Sequence, residues 1–431
     1  MMQSYQALAD KGVDQTGVSP SMANLPGLIA GLSGGGSGGG SGSAVQAKDV
    51  NFYDYDGTLL HAFTLDEAKN MSALPDGPTH DGLVFQGWNW SLDSVKSLTR
   101  KMNIGAMYTT DDGKTRIYIH LEDGRTSPML GVCPNGTVTV DWGDGTEPDT
   151  LTGTSTTDVK WTNNHQYAQP GDYVISLTVD GKMGFSGVSG ENSYAYILRH
   201  LDGANGMNNA YLNAVQKIEI GDSVTSIGTH AFDHCYSLSS ISIPDSVTSI
   251  GTYAFSFCYS LSSISIPDSV TSIDTYAFSG CYSLSSVIIP NSVTSIGTYA
   301  FNGCYSLSSI SIPDSVTSIG RYAFSFCYSL SSVIIPDGVK SIDVNAFSSC
   351  YSLSSISIPD SVTRIDNRAF DGCRSIRYID FSSHTSVPTL SNTNAFTGIA
   401  EDGEIRVPAA LYDEWKAATN WSTYASKIVA V

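Results

Sequence analysis

A cysteine that recurs every 23 residues constrains the fold of this chain more than any other feature of its sequence. Seven of the eight cysteines keep this spacing, and the chain completes six near-identical units between the first and the last of them. They are Cys235, Cys258, Cys281, Cys304, Cys327, Cys350 and Cys373. A unit of this size cannot bury both of its faces alone, whereas stacked units cover one another. The spacing therefore predicts a solenoid in which each cysteine is a buried, reduced thiol.

Within each unit, the apolar residues are spaced for one short strand and a turn. In CYSLSSISIPDSVTSIGTYAFSF, which begins at Cys235, the spacing L-x-x-I-x-I places alternate side chains on one face of a strand. Pro244 then ends the strand, because proline cannot donate a ladder hydrogen bond. The Ala-Phe pair that follows is typical of a single helical or 3₁₀ turn. Stacking buries each Ile and Phe against its neighbours, which contributes about 1.5–3 kcal/mol per side chain.

The units resemble the BspA-like (Treponema-type) leucine-rich repeat. They repeat its signature, I-P-D/N-x-V-x-x-I-G-x-x-A-F-x-x-C, over residues 216–398. The resemblance implies a leucine-rich-repeat solenoid with short helical turns. It also implies a surface or secreted protein that binds host proteins or other cells.

The residues that follow the repeats predict a lid for the open end of the solenoid. In residues 399–431, EIRVPAALYDEWKAATNW is typical of a short strand followed by a helix that begins at Pro408. Leu411, Trp415 and Ala418 then lie on one helical face. We expect that face to cover the final coil.

The N-terminal part of the chain divides into three segments of different composition. Residues 1–32 resemble the N-terminal attachment segments of tail-associated proteins from phages of gut Firmicutes. Residues 33–47, which include SGGGSGGGSGS, are typical of a flexible Gly/Ser-rich linker. Residues 48–104 contain V-x-F-x-D-x-D-G and ALPDGPTHDGLVFQGWNW, and they resemble the internalin-type B-repeat. That resemblance implies a small β-grasp-like module.

Residues 105–186 resemble the PKD-like immunoglobulin-type β-sandwich. The resemblance depends on TVTVDWGDGTEPD and NNHQYAQPGDYVISLTVDGK, in which alternating apolar residues predict two strands. Asp141 and Asp144 suggest calcium, but paired turn carboxylates are more often solvated or bonded to the backbone, so we expect no metal. Residues 187–215 connect this module to the first coil. The whole chain is thus predicted to be mainly β and multidomain.

The one lead toward catalysis is the string DYDGTL, which begins at Asp54. It resembles the first motif of haloacid-dehalogenase-like phosphatases, in which the first Asp is the nucleophile and the second, here Asp56, is a general acid. That fold needs a large Rossmann-like sheet with alternating helices, whereas a different module begins soon after the motif. We therefore expect a protein that is not an enzyme and has no cofactor. His230 and His234 are expected to be exposed residues of the first coil rather than metal ligands.

Charge and hydropathy exclude two classes of partner. The formal net charge of −19 at pH 7 repels phosphate backbones and anionic lipid surfaces, so we expect no nucleic-acid partner. No stretch of the sequence approaches the ~20 apolar residues of a membrane span. The N-terminus lacks the basic start and apolar run of a secretory signal. We therefore expect no membrane insertion. The resemblances imply a location that is extracellular or on a virion surface, and a virion component leaves the cell by lysis without a secretory signal.

Recognition is expected on the outward positions, where units with nearly identical cores differ. The candidate binding residues are His230, Tyr253, Tyr276, Tyr299, Tyr322, Phe257 and Phe326. Tyrosine is favoured at interfaces because it offers a large, rigid contact area and a hydroxyl group. Exposed phenylalanine is unusual on an inert surface. Packing between coils is the alternative role for these side chains, and for a further tyrosine stripe that begins at Tyr236.

These features predict a non-catalytic adhesion or receptor-binding protein that recognises a cell-surface protein or glycan through the solenoid. The N-terminal resemblance favours a phage or prophage tail-associated protein, for which a homo-oligomer, a trimer in a tail fibre, would be usual. A bacterial cell-surface adhesin of the BspA-like type is the alternative. A structural spacer protein and, last, a phosphatase are the remaining hypotheses.

Overall fold

The computed structural model describes residues 48–54, 58–79, 83–88, 95–96, 102–110, 112–186, 197–202, 206–208, 211 and 213–431. These residues belong to two compact units, one within residues 1–113 and one within residues 114–431. Among the described residues, the regular secondary structure of both units is mainly β-strand, as predicted. The predicted N-terminal segment and the Gly/Ser-rich linker lie outside the described residues.

The first unit contains a four-stranded mixed sheet. Its elements are β1 (Val50–Tyr53), β2 (Leu59–Phe63), helix α1 (Leu65–Lys69), β3 (Leu83–Trp88) and β4 (Met102–Thr110). The strand order is β2-β1-β4-β3, and the two central strands, β1 and β4, are parallel. Strand β4 runs through the predicted boundary between residues 104 and 105, so the first module extends to at least Thr110.

The described residues of the second unit begin with seven strands. They are β5 (Thr115–Leu121), β6 (Met129–Asp141), β7 (Asp149–Thr154), β8 (Lys160–Trp161), β9 (Gly171–Phe185), β10 (Leu198–Asp202) and β11 (Gly206–Asn208). The long strands β6 and β9 pair antiparallel. Strand β9 also pairs with β5, whereas β6 pairs with β7, β8 and β10 along its length. The predicted connector thus contributes β10 and β11 to this sheet.

The WGDG turn after β6 is held by polar and aromatic contacts. The Trp142 ring stacks on His165 with 4.5 Å between ring centroids, and the Tyr167 hydroxyl donates to the Trp142 carbonyl oxygen. Burial acts to raise the pKa of Asp144, but hydrogen bonds with Thr146 and His165 outweigh it and lower that pKa below its usual value. This carboxylate therefore stabilises the turn itself.

The strands of the repeats lie in two parallel rows, here called the two sheets, of which the sequence predicted one. The first sheet contains the predicted strand of each unit, and its pairing is interrupted, so that it consists of four hydrogen-bonded groups of strands. Its strands are β12 (Val215–Glu219), β14 (Ser240–Ser242), β15 (Ser263–Ser265), β17 (Ser286–Ile288), β19 (Ser309–Ile310), β21 (Ser332–Val333), β23 (Ser355–Ser357), β25 (Tyr378–Asp380), β27 (Glu404–Val407) and β28 (Ile428–Ala430).

The second sheet comes from the V-x-x-I segment that follows each proline. Its strands are β13 (Val224–Ile227), β16 (Ser272–Ile273), β18 (Ser295–Ile296), β20 (Ser318–Ile319), β22 (Ser341–Ile342), β24 (Arg364–Ile365) and β26 (Thr389–Leu390). Equivalent residues of successive units pair with each other, as Ile296 does with Ile319. Inward-facing isoleucines of both sheets, such as Ile264 and Ile296, are buried, so the core lies between the sheets.

The Ala-Phe segment closes each coil without forming a helix, and no helix occurs in residues 213–408, all of which the structure describes. The Cys258 N–H bonds the Phe255 carbonyl oxygen with the i→i+3 spacing of a 3₁₀ turn. However, Tyr253 and Phe257 interrupt the turn with φ of 58° and 57°. The Phe257 N–H consequently bonds the Ser279 carbonyl oxygen of the next coil at 2.7 Å.

Ladders of equivalent side chains fill the solenoid core. The phenylalanines of the Ala-Phe pairs form one ladder, in which Phe278 and Phe301, for example, stack with 5.3 Å between ring centroids. The cysteines form another. All eight cysteines are described, and they are buried and free, which confirms the prediction of reduced thiols.

The module before the repeats covers the first coil. Strand β5 pairs antiparallel with β12, and β9 pairs parallel with β13, so both solenoid sheets continue into that module. The Phe185 ring packs against Phe232 with 5.1 Å between ring centroids. The two regions share one continuous hydrophobic core.

A compact lid covers the last coil. A 3₁₀ turn (Ala409–Leu411) follows Pro408, and helix α2 (Tyr412–Ala417) and a second 3₁₀ turn (Trp421–Tyr424) lead to β28. Trp415 and Trp421 are fully buried, with 5.3 Å between ring centroids. The helix is shorter than predicted and ends before Ala418, which packs at the edge of the core.

Candidate recognition surface

Two ladders of stacked aromatic rings run along the solenoid beside the Ala-Phe turn. The first ladder is His230, Tyr253, Tyr276, Tyr299 and Tyr322. The second ladder is Tyr236, Tyr259, Tyr282, Tyr305, Tyr328 and Tyr351. Neighbouring ring centroids lie 4.5–4.6 Å apart in the first ladder and 4.5–4.7 Å apart in the second. Each ring therefore covers the faces of its neighbours, and the ladders pack the coils together.

The residue before each repeat cysteine adopts a left-handed backbone conformation, as do the residues of the first ladder. At this position φ is 57° in Phe257 and 61° in Phe326, and it is 74° in Gly280 and 73° in Gly303. A left-handed conformation costs a residue with a side chain roughly 1–2 kcal/mol, whereas glycine adopts it freely. Because glycine closes the same turn in the two intervening coils, folding does not require phenylalanine at either position.

A groove opens where the two glycines lack a side chain. It lies between Phe257 and Phe326, with the two ladders as its sides, and its volume is about 390 Å³. A Cβ atom at Gly280 would lie 2.7 Å from the Phe257 ring, whereas one at Gly303 would meet no atom closer than 3.8 Å. The groove is therefore most open above Gly303.

The groove brings together five of the seven predicted binding residues. They are Tyr253, Tyr276, Tyr299, Phe257 and Phe326. His230 and Tyr322 belong to the first ladder but do not line the groove. The two glycines were not among the predicted binding residues. Their signal was present, since the aligned position before the repeat cysteine is phenylalanine in two coils and glycine in three.

Phe257 and Phe326 differ in orientation from the ladder tyrosines. The Phe257 ring plane lies at 82° to that of Tyr259, and the Phe326 plane lies at 87° to that of Tyr328. Their faces are therefore not used in ladder stacking. The His234 ring packs near Phe257 with 4.7 Å between centroids, whereas Phe326 is 40% exposed. Phe326 is thus the more accessible of the two rings.

The lining of the groove is aromatic or neutral and polar. Apart from the tyrosines, none of its side chains is ionisable, and burial raises the pKa of Tyr276 and Tyr299. The Asn302 amide donates one hydrogen bond to the Ser325 carbonyl oxygen, which leaves a second N–H and the amide oxygen. The groove thus combines ring faces with hydroxyl and amide groups, and it carries no charge at neutral pH.

The two neighbouring histidines of the first coil have a structural role. The His230 ring bonds the Asp233 carboxylate at 2.7 Å, and a His234 ring nitrogen lies 2.8 Å from the other oxygen of that carboxylate. The Asp233 side chain is only 2% exposed and therefore needs polar partners. His230 and His234 are consequently half-buried, and the expectation that they are exposed was wrong.

A second apolar feature lies on the outer face of the first sheet. Ile288 and Ile334 are 61% and 77% exposed, respectively, at the position where the intervening coil has Ser311. Neither was among the predicted binding residues. Their exposure could have been predicted from the sequence, because these two units contain S-V-I-I-P where other units contain S-I-S-I-P.

The phosphatase motif lies in the first unit. Asp54 follows β1 and is buried, while Asp56 lies outside the described residues. In the part of the chain that the structure describes, no three His, Cys, Asp or Glu side chains are grouped to hold a metal ion. No helix among the described residues has the length and apolar character to cross a membrane.

Sequence comparison identifies the repeats. Residues 208–325 and 271–401 match the profile of the BspA type leucine rich repeat region, with six copies. No curated protein is significantly similar to the chain.

Several solved structures are similar to the chain. A leucine-rich repeat protein from Bacteroides ovatus is 31% identical, over 48% of this chain and 58% of its own, with a TM-score of 0.40. The leucine-rich repeat protein of T. pallidum is 33% identical, over 37% and 78%, with a TM-score of 0.36. A leucine-rich cell surface protein from Faecalibacterium prausnitzii is 27% identical, over 51% and 64%, with a TM-score of 0.32. The chain thus spans less than two thirds of the first and third of these proteins.

Proposed function

Because the chain belongs to the BspA-type leucine-rich repeat family, we propose that it is a non-catalytic adhesion protein that recognises a cell-surface ligand through its solenoid. The main observation that supports this proposal is the groove between Phe257 and Phe326. Both phenylalanines adopt a backbone conformation that glycine adopts without strain, and Phe326 keeps 40% of its surface exposed. The turn has this conformation in the other coils as well, and glycine closes it in three of them, so the fold does not require either phenylalanine. A role in binding accounts for their presence.

In this proposal the first ladder contributes part of the binding surface. Its ring faces are covered by their neighbours, so Tyr276 and Tyr299 contribute ring edges and hydroxyl groups at the side of the groove. Phe257 and Phe326 contribute the ring faces. Aromatic residues in a rigid setting supply much of the binding free energy at protein interfaces. The stacked coils provide that rigidity.

We infer that the protein is carried on a phage or prophage tail, at the virion surface. The support is the resemblance of residues 1–32 to attachment segments of tail-associated proteins. The alternative carrier is a bacterial surface, which the cell surface protein from Faecalibacterium prausnitzii favours. Immunogold electron microscopy of induced lysates and intact cells distinguishes the two: label on virion tails supports the first carrier, and label on intact cells contradicts it.

Binding of the fluorescently labelled full chain to a panel of Gram-positive gut bacteria and human epithelial cells tests adhesion. We expect saturable binding to at least one cell type, with competition by unlabelled chain. Ile334→Ser is the control, because it removes an exposed apolar side chain outside the groove. Its binding should equal that of the unaltered chain. A spacer protein would show no saturable binding to any cell, and this result would overturn the proposal.

A further inference from the structure

We propose that the groove above Gly280 and Gly303 is a subsite for an uncharged hexopyranose, a sugar ring of a cell-surface glycan, which packs against Phe257 and Phe326. This inference rests on the proposed adhesion function and specifies the chemistry of its ligand.

The lining of the groove suits the two-sided character of a pyranose ring. One face of such a ring presents C–H groups and is apolar, while its rim carries hydroxyl groups. Phe326 is 40% exposed and its ring does not stack in a ladder, so it suits the apolar face of the sugar. The Asn302 amide and the tyrosine hydroxyls both donate and accept hydrogen bonds, so they suit the rim.

The absence of charge in the lining favours a neutral sugar over an acidic ligand. No lysine, arginine, histidine, aspartate or glutamate lines the groove, and the whole chain has a net charge of −19. An anionic group would lose hydration there without gaining a partner of opposite charge.

The ring geometry also disfavours a quaternary ammonium ligand. Recognition of such a cation uses a cage of aromatic faces around it. Here the faces of Tyr276 and Tyr299 cover each other at 4.5 Å between centroids, so the ladder offers ring edges to the groove. A cage of faces is therefore not formed.

The floor of the groove argues against an extended peptide. The Gly280 N–H bonds the Asn302 carbonyl oxygen at 2.7 Å, and the Gly303 N–H bonds the Ser325 carbonyl oxygen at 2.8 Å. These donors already join one coil to the next. A peptide strand laid along the floor would therefore find no backbone donor there with which to pair.

The volume of the groove sets the size of the ligand. Its value of about 390 Å³ lies at the lower end of the range of roughly 300–1,000 Å³ for small-molecule sites. A site of this size holds one or two sugar rings. We therefore expect it to contact a terminal sugar or a short segment of a longer glycan.

The repeat offers a matched pair of variants. Gly303→Phe fills the open part of the groove with a side chain in the left-handed conformation that Phe326 already adopts. Gly372→Phe adds the same side chain in a similar conformation, with φ of 76°, two coils beyond Phe326 and outside the groove. Phe326→Gly completes the set by removing the more exposed ring.

Saturation-transfer difference NMR of the full chain with the methyl glycosides of glucose, galactose, mannose and N-acetylglucosamine tests the proposal. We expect at least one glycoside to bind. Its dissociation constant should rise at least about tenfold in Gly303→Phe and in Phe326→Gly. It should stay unchanged in Gly372→Phe. Binding of none of the four glycosides, full binding to Gly303→Phe, or equal loss of binding in Gly303→Phe and Gly372→Phe would overturn the proposal.

Periodate oxidation of the cell-surface glycans separates this proposal from adhesion itself. Loss of cell binding after oxidation supports the sugar subsite. If the chain binds oxidised and untreated cells equally well and binds no glycoside, the sugar subsite is wrong while adhesion stands. If the chain binds neither cells nor glycosides, the adhesion proposal fails as well.

Discussion

The thiol of Cys281 donates a hydrogen bond to the carbonyl oxygen of Phe255, 3.1 Å away in the preceding coil. The Cys304 thiol makes the equivalent contact with Phe278. The Phe255 carbonyl also accepts the Cys258 N–H within its own coil, so the thiol satisfies its second lone pair. A small apolar side chain with one weak donor is what this position needs, which explains why cysteine recurs there.

Burial of these thiols predicts slow chemical modification of the native protein. Burial raises the pKa of the Cys327 thiol to about 12, so thiolate is scarce at pH 8. Ellman's reagent should therefore react negligibly with the folded chain and should titrate all eight cysteines in guanidinium chloride without reductant. Fewer than eight reactive thiols in denaturant, or rapid reaction of the native chain, would contradict the structure.

A buried ion pair connects the first coil to the preceding module. The Lys217 and Glu219 side chains, both on β12, are 4% and 8% exposed, and Glu219 also accepts a hydrogen bond from the Tyr118 hydroxyl on β5. We expect Glu219→Gln to lower the free energy of unfolding by about 3–5 kcal/mol, because it leaves the buried Lys217 ammonium without its counter-charge.

The control for Glu219→Gln is Asp158→Asn, which breaks the pair between Asp158 and Lys160. Those side chains are 64% and 41% exposed, and exposed pairs contribute only about 0–1 kcal/mol. Urea denaturation of both variants makes the comparison. Equal effects on the free energy of unfolding would show that burial of the Lys217–Glu219 pair has no special importance.

The burial of the His384 ring predicts that the free energy of unfolding depends on pH. Its ring is buried beneath the C-terminal lid, 5.8 Å from the Trp415 ring between centroids. Burial lowers the pKa of His384, against the opposing effect of Asp360 and nearby backbone carbonyls. As the pH falls below about 6.5, the usual pKa of histidine, the unfolded chain binds the proton first. The folded state therefore loses relative stability until its own lower pKa is reached.

His384→Gln should reduce this effect, since glutamine does not titrate. The free energy of unfolding, measured in urea between pH 8 and pH 5, should fall less steeply in His384→Gln than in the unaltered chain. Identical slopes would mean that the buried histidine does not couple folding to protonation.

The sequence was sufficient to predict the solenoid core. The positions of Phe278, Cys281 and Ile264 follow from the 23-residue period, since stacking repeats a buried position at each turn. The second sheet was missed because segments such as Ser295–Ile296 are too short to show the alternation of a strand. Its stability comes from pairing with equivalent segments of neighbouring coils.

The candidate groove was only partly predictable. Phe257 and Phe326 were recognised as unusual surface residues, but their left-handed backbone was not, because bulky residues rarely adopt positive φ. The pairing of β5 with β12 was also missed, since nothing local in either segment specifies a partner about a hundred residues away. Both features depend on tertiary contacts.

The two phenylalanines of one turn should differ sharply in their effect on stability. Phe324 is fully buried, so Phe324→Ala should lower the free energy of unfolding by about 3–5 kcal/mol. In Phe326→Gly, relief of backbone strain offsets the greater flexibility of glycine in the unfolded chain, so the change should be within about 1 kcal/mol. Urea denaturation measures both. A loss in Phe326→Gly as large as that in Phe324→Ala would assign Phe326 a structural role.

The dissociation constant of the full chain on cells that it binds, compared between Gly303→Phe and Gly372→Phe, tests most directly whether recognition occurs in the groove. Both variants add the same side chain in the same turn of the repeat, and only the first fills the space between Phe257 and Phe326. We predict that Gly303→Phe weakens cell binding at least about tenfold, while Gly372→Phe binds like the unaltered chain. Equal affinity of the unaltered chain and both variants would contradict recognition through the groove.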